Sequence, residues 1–472
     1  MDSDRVLTQV KVVGLLGRFQ HTVDFPASDE FVIVHGPNGV GKTLLLDLIS
    51  AIAWPVDFGT IVRVPFKSLT LRFDDGTMFT VDKGGPQSAA ADESEIPSSA
   101  ADSTLAGLLA LRLFLEPGSG SGAISWSPQV HTPERVDSFR TLARLVTNSP
   151  DKPSGMERRL RDYLAHGPLE SDATLLEALP RWDSLPETLT ETLTEALAVR
   201  IPTEMRDVLR GVVVHSIDTH RLLGLSAPEE RRGRPRQRPS LTKVEEFATD
   251  LARRLAKELA ENSRTSQELD RTYPQRLLED PAVDVSEQEI RERYDAQNDL
   301  RRQLGDISLV DERTSVIEIP ERMEPWQRTV LWTYLRDTEA KLATFKDTLD
   351  RVSRLREIVN RRFLFKNLEI DRERGFRVVS DEERDLDLAS LSSGEQHELV
   401  LAYDLLFNVP SGALVLIDEP EISLHVSWQK GFIADLRTIA SLVDFRTIVA
   451  THSPQIAGKW ADRMVILGPT AE

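Results

Sequence analysis

The stretch FVIVHGPNGVGKTLLLDLIS, Phe31 to Ser50, decides how the rest of the chain is read. Phe31 to Val34 have the aromatic and β-branched character of a buried strand. They run into a turn containing Gly36, Gly39 and Gly41, and a second apolar run from Leu44 to Ala53 reads as a helix. Glycines let such a turn curl so that successive N–H groups point at one anion, and the helix N-terminus adds a favourable dipole.

The turn Gly36-Pro37-Asn38-Gly39-Val40-Gly41-Lys42-Thr43 matches the P-loop pattern, and the strand before it and the helix after it are the context that pattern needs. In this role Lys42 reaches the β- and γ-phosphates, and the Thr43 hydroxyl binds Mg²⁺. Leu44 carries the backbone into the helix. ATP and Mg²⁺ are therefore the expected ligands.

Three later stretches share this logic. ALVLIDEPEISLH (413–425) is an apolar strand ending in two carboxylates, Asp418 and Glu419. The strand delivers both to the C-terminal edge of a sheet, where open α/β sheets bind ligands. Asp418 is expected to hold Mg²⁺ through its water shell, and Glu419 to orient or deprotonate the attacking water. LSSGEQ, Leu391 to Gln396, precedes the helix HELVLAYDLLF and places Ser393, Gly394 and Glu395 at a helix N-terminus. Alone it would read as a plain helix cap. IVATHSPQIA (448–457) ends a strand at Thr451, with His452 at its tip.

Composition sets outer bounds. The 472 residues are 40% apolar and 28% charged, an ordinary globular balance with room for two or more domains. A net charge of −18 argues against wholesale coating of nucleic acid. Cysteine is absent, which excludes disulfides and thiolate metal sites and suits a cytoplasmic location. No apolar run approaches the roughly 18 residues of a bilayer span, and the N-terminus lacks a signal pattern.

Along the chain, residues 1–103 read as strands around the P-loop, with a hairpin turning at Asp75-Gly76 and an acidic, core-poor loop over 85–103. Residues 104–363 read as a mainly helical insertion. Leu105, Leu108, Leu109 and Leu113 mark a first helical face, and GVVVHSI (211–217) is a strand expected to rejoin the main sheet. Leu335, Leu342, Phe345, Leu349, Val352 and Val359 fall on heptad positions, which suggests a helical hairpin or short arm. Pro274, Pro281, Pro320 and Pro325 are expected to break this territory into pieces. Residues 364–472 return to strand–helix alternation. The fold class expected is α/β, with one head domain built from both ends of the chain.

P-loop, LSSGEQ, an apolar strand ending in Asp-Glu, and a strand ending in His, in that order, resemble the ABC-type ATPase heads. The wording of the last three stretches looks like the non-transporter branch that includes OLD-type and SMC-like, AAA-domain ATPases. It is most similar to the stand-alone prokaryotic ATPases of anti-phage defence, such as the PARIS type. The resemblance covers roughly residues 6–55 and 360–468. It implies two heads sandwiching two ATPs, with Ser393–Gly394 of one chain closing on the γ-phosphate held by the other and His452 sensing that phosphate. Glu421 to His425 would form the D-loop at the dimer seam, and Asn38 and Arg18–Phe19 would lie near the nucleotide. A Mg²⁺-ligating glutamine is also implied, and Gln87 and Gln129 are both open for it. Transporter subunits hold the P-loop and the signature far closer together than Thr43 and Leu391 stand here, so that reading is disfavoured.

Two readings of function stay open. In the first, the chain is a Mg-ATPase that dimerises around ATP and controls a separate effector protein. The chain ends soon after His452, so an appended nuclease domain is not expected. In the second, it clamps nucleic acid in repair or chromosome work, using RRGRPRQR, Arg231 to Arg238, whose five arginines could grip phosphates.

Overall fold

The computed structural model describes residues 5–25, 30–84, 111–118, 122–127, 201–218, 242–279, 285–310, 318–320, 322–422 and 424–468. The protein is mixed α/β, and its contacts divide it into two compact units. The first is residues 1–218, 410–421 and 444–472; the second is 219–409 and 422–443.

The first unit holds two sheets. Strands β1 (Leu7–Leu15), β2 (Phe19–Asp24), β4 (Ser68–Phe73), β5 (Met78–Lys83), β6 (Leu111–Glu116) and β7 (Ile124–Trp126) form an antiparallel sheet in the order β2-β1-β4-β5-β6-β7. Alternation of buried and open residues is clear in β2, β4 and β6, as expected where one face meets a core. The second sheet is parallel and ordered β14-β3-β13-β12-β8. Its members are β3 (Phe31–His35), β8 (Val214–Asp218), β12 (Leu414–Asp418), β13 (Arg446–Thr451) and β14 (Met464–Ile466). Central strands β3, β12 and β13 are near-continuous apolar runs because both faces are covered. Helix α1 (Lys42–Ile52) buries Leu45, Leu48, Ile49 and Ile52 in the same apolar cluster as side chains of both sheets. Two shorter helices, α2 (Phe58–Arg63) and α3 (Thr203–Arg210), complete the unit's main elements. Arg446 ties its parts together: its guanidinium donates to the carbonyls of Leu7 at 2.7 Å and Phe25 at 2.6 Å.

Register sets the working edge. Asp418 lies beside Ala450 and Asp218, Ala450 beside Val34, and Thr451 beside His35. The C-terminal ends of β3, β13, β12 and β8 are thus level, and whatever follows them emerges along one edge.

The second unit is helical. It contains α4 (Lys243–Glu279), α5 (Glu287–Gly305), α6 (Pro325–Ala343), α7 (Lys346–Asn360) and α8 (Ser393–Phe407). Beside them are a small sheet of β9 (Lys366–Asp371), β10 (Gly375–Ser380) and β11 (Asp385–Leu386), and helices α9 (Val426–Gln429) and α10 (Phe432–Val443). The last α-helix among the described residues, α11 (Pro454–Ala457), follows β13 in the first unit.

Two local expectations are corrected. Leu113 belongs to strand β6, not to a helix; Leu111, Leu113 and Leu115 alternate inward with period two, and that fits the buried face of a sheet as well as a helical stripe does. Leu105, Leu108 and Leu109 lie outside the described residues. Pro274 does not break its helix: α4 runs through it. The carbonyl of Leu269, on the turn the proline ring crowds, accepts from Arg276 Nη2 at 2.8 Å and Thr272 Oγ1 at 3.3 Å. Arg276 also forks onto the Asp337 carboxylate of α6. The heptad stripe divides between α6 and α7 and is buried within the second unit, with Leu335 packed against Ile290, Tyr294 and Met323.

Helix α8 is buried on nearly every side after its first turn. Arg362, itself buried, holds the carboxylates of Glu398 on α8 and Asp435 on α10. Next to Glu398, His397 is fully buried. Burial pushes its pKa from 6.5 down to about 4. The unfolded chain therefore takes up this proton near pH 6.5 and the native state only near pH 4, so native stability falls as pH drops through that window. His397→Leu should remove up to about 3 kcal/mol of that loss. Urea unfolding of both proteins across pH 4 to 7 should show their stability difference shifting toward the variant on acidification.

Candidate functional site

The P-loop sits on the working edge, directly after β3. Gly39 and Gly41 have φ of +84° and +91°, the left-handed conformation that lets the chain curl before α1. Gly36 is needed for a different reason: a Cβ there would stand 2.5 Å from the Leu467 carbonyl oxygen. The β1–β2 hairpin backs the loop. A Cβ on Gly41 would meet Leu15 Cδ2 at 2.6 Å, and His21 Nε2 donates to the Val40 carbonyl at 2.9 Å. Pro37, Asn38 and Gly39 are exposed, and Val40 is buried. Leu44, partly buried, packs against the unit's core.

Lys42 is buried, and its ammonium donates to the carbonyls of Gly36 at 2.8 Å and Pro37 at 3.3 Å. The ammonium is thus folded back under the arch of the loop. Thr43 Oγ1 donates to Asp418 Oδ2 at 2.6 Å. Burial pushes the Asp418 carboxyl above the usual carboxylate range. The Thr43 hydrogen bond opposes this, and Glu419 and Asp47 reinforce it. A divalent cation would relieve that destabilisation. The paired hydroxyl and carboxylate are hard oxygen donors of the kind Mg²⁺ takes, and the glycine arch is a cradle that side chains would fill. The residues present therefore fit both a phosphate chain and its metal.

Glu419 follows β12 with φ of +47°, and its N–H donates to the Ala450 carbonyl at 2.9 Å. That bond turns the chain at the end of the sheet. His452, at the end of β13, lies with Nδ1 3.7 Å from Glu419 Oε1 and 3.0 Å from Glu421 Oε1. Lys42, Thr43, Asp418, Glu419 and His452 all belong to the first unit.

Ser393, Gly394 and Glu395 belong to the second unit, at the start of α8. Ser392 caps this helix, its hydroxyl accepting from the Glu395 amide while the Glu395 carboxylate accepts from the Ser392 amide at 2.9 Å. Glu395 also pairs with Lys366 at 3.0 Å. Burial works against its ionisation, but the Lys366 and Ser392 hydrogen bonds outweigh it and hold the Glu395 carboxyl below the usual range. Ser393 is exposed. Arg18 lies over the Phe19 ring at 4.8 Å, and Phe19 stacks on His21 at 5.6 Å. His425 caps α9. Gln87, Gln129 and Arg231–Arg238 lie outside the described residues. Among the described residues no helix is long and apolar enough to cross a membrane, and no cluster of three or more His, Asp or Glu side chains could hold a metal by itself.

Two contacts escaped sequence reasoning, that of His21 with the P-loop and that of Glu421, expected only in the D-loop, with His452. His21 was legible only as an inward position on the alternating strand β2. Glu421 lies in the quoted stretch, but its bond to His452 joins residues 31 positions apart, and no local spacing announces it.

Comparison with known proteins adds to this geometry. Residues 258–457 match the family described as "AAA domain, putative AbiEii toxin, Type IV TA system". The chain is 35% identical over 103 residues to the retron Ec83 probable ATPase of Escherichia coli, a match spanning 20% of this chain and 19% of that protein. Among solved structures, the Smc head domain with an extended coiled coil bound to the C-terminal domain of ScpA, from Pyrococcus furiosus, covers 98% of this chain and 94% of its own at 13% identity and a TM-score of 0.33. The SmcHead bound to the C-winged helix domain of ScpA covers 95% and 90% at 10% identity and the same TM-score. The two sequence matches and the P-loop geometry support a P-loop ATPase.

The fit of Gly36 is directly testable. Gly36→Ala should lower stability by about 1–3 kcal/mol, because a backbone carbonyl rather than a flexible side chain occupies the space. Urea unfolding reads the change, and an unaltered midpoint would contradict the packing described.

Proposed function

We propose that the chain is a Mg-dependent ATPase of the ABC type that dimerises through its head around ATP and uses binding and hydrolysis to control a separate effector. One observation carries this reading: Lys42, Thr43, Asp418, Glu419 and His452, from segments far apart in sequence, lie at or just beyond the C-terminal ends of strands at one edge of the parallel sheet. The anti-phage setting rests on the sequence resemblance alone.

In this reading the P-loop amides and Lys42 bind the phosphates, with Lys42 exchanging its carbonyl partners for phosphate oxygens. Thr43 and Asp418 hold Mg²⁺, which neutralises charge on the β- and γ-phosphates when bound. Glu419 orients the attacking water and takes its proton. His452 contacts the γ-phosphate. The exposed Ser393 and the adjacent Gly394, at a helix N-terminus, are suited to meet an anion presented by a second copy. Glu395 supports that helix start through its cap and Lys366 rather than by reaching outward.

Two substitutions separate binding from chemistry. Lys42→Ala should weaken nucleotide affinity by at least tenfold, about 1.4 kcal/mol, in equilibrium titration with a fluorescent ATP analogue. Glu419→Gln should bind as the native protein does, lower turnover by a factor of about 10² or more, and accumulate an ATP-dependent dimer in sedimentation velocity. Equal loss of binding in both variants would remove Glu419 from the chemical step.

A further inference from the structure

We infer that Glu421, rather than Glu419, is the carboxylate that positions His452, and that it fixes the ring with Nδ1 protonated and Nε2 turned to the ligand. The geometry stands alone; its catalytic consequence rests on the ATPase reading above.

Glu421 lies just beyond β12, and its side chain is only 6% exposed. Its Oε1 accepts the His452 main-chain N–H at 2.8 Å and lies 3.0 Å from Nδ1 of the same residue. One oxygen thus grips both the backbone and the ring. Glu419 Oε1 stands 3.7 Å from Nδ1, beyond hydrogen-bond distance. Its side chain is 26% exposed, more open to solvent than that of Glu421.

An ionised carboxylate can only accept. With Oε1 only 3.0 Å away, an unprotonated Nδ1 would set its lone pair against that of the carboxylate, so the geometry favours the hydrogen on Nδ1. Nε2, on the far side of a ring that is 46% exposed, is the nitrogen left to meet a ligand. In the neutral ring Nε2 carries a lone pair, which cannot donate to a phosphate oxygen. In the imidazolium it carries a second hydrogen and can. His452 thus donates to a phosphate only after gaining a proton, while Glu421 keeps the ring aimed in both states. Glu419 does not have to anchor the ring, and its carboxylate can serve the water.

The test uses the full chain with ¹⁵N-labelled histidine, without nucleotide, at a pH high enough for neutral rings. His452 is one of nine histidines, and its signals are assigned by their loss in His452→Gln. Long-range ¹H–¹⁵N spectra should show the Nδ1–H tautomer for His452 in the native protein and in Glu419→Gln. Glu421→Ala should convert it to Nε2–H, and Glu421→Gln, whose amide oxygen still accepts, should retain Nδ1–H. An Nε2–H tautomer in the native protein, or a switch in Glu419→Gln instead of Glu421→Ala, would overturn the inference. In turnover, Glu421→Ala should lower kcat by about ten- to a hundredfold with KM for ATP nearly constant, and Glu421→Gln should recover part of the loss. A rise in KM at unchanged kcat would also overturn it. If the native protein hydrolyses no ATP, the ATPase reading fails while the tautomer result still decides the geometry.

Discussion

A 2.6 Å hydrogen bond between Thr43 and Asp418 joins residues 375 positions apart, and the rest of the site depends on it. It exists because β3 and β12 flank β13 in one parallel sheet with their ends level. A shift of one residue in either strand would turn every side chain of that strand to the opposite face. These strands are close-packed on both faces, so such a shift would misfit every side chain and is costly. The packing of the core is therefore also what sets the position of the carboxylate beside the hydroxyl.

The electrostatics follow from the same closeness. Asp418 is held where burial and neighbouring carboxylates disfavour its charge, and Lys42 is folded onto the carbonyls of its own loop. Both arrangements are local compromises. An anion with a divalent cation would offset them together, giving Lys42 phosphate oxygens and Asp418 a positive partner. Ligand binding then draws on energy the fold has already spent in bringing these groups together.

Much of this was legible in the sequence, for identifiable reasons. The P-loop announces itself because its conformation needs glycines at fixed positions, and Asp418 and Glu419 because they end an apolar run. The α/β character follows from strand–helix alternation near both ends of the chain. The strand β6 was not legible as such, since leucines two apart serve a sheet face and a helical stripe alike. The continuity of α4 through Pro274 has no local signal, and the side chain of Arg276, which reaches back to the Leu269 carbonyl and across to Asp337, is a tertiary contact beside it. The grip of Glu421 on His452 and the support of Val40 by His21 are tertiary contacts between strands or loops that no local pattern encodes.

The strand order has a consequence for how the protein is made. The strand that leads into the P-loop, β3, pairs only with β13 and β14 among the described residues, and both are synthesised long after it. On the ribosome, the nascent P-loop segment lacks the neighbours that hold its supporting strand in place. The supporting edge of the P-loop is complete only once the later segments have emerged, so translation itself delays its assembly until Asp418, Glu419 and His452 are present.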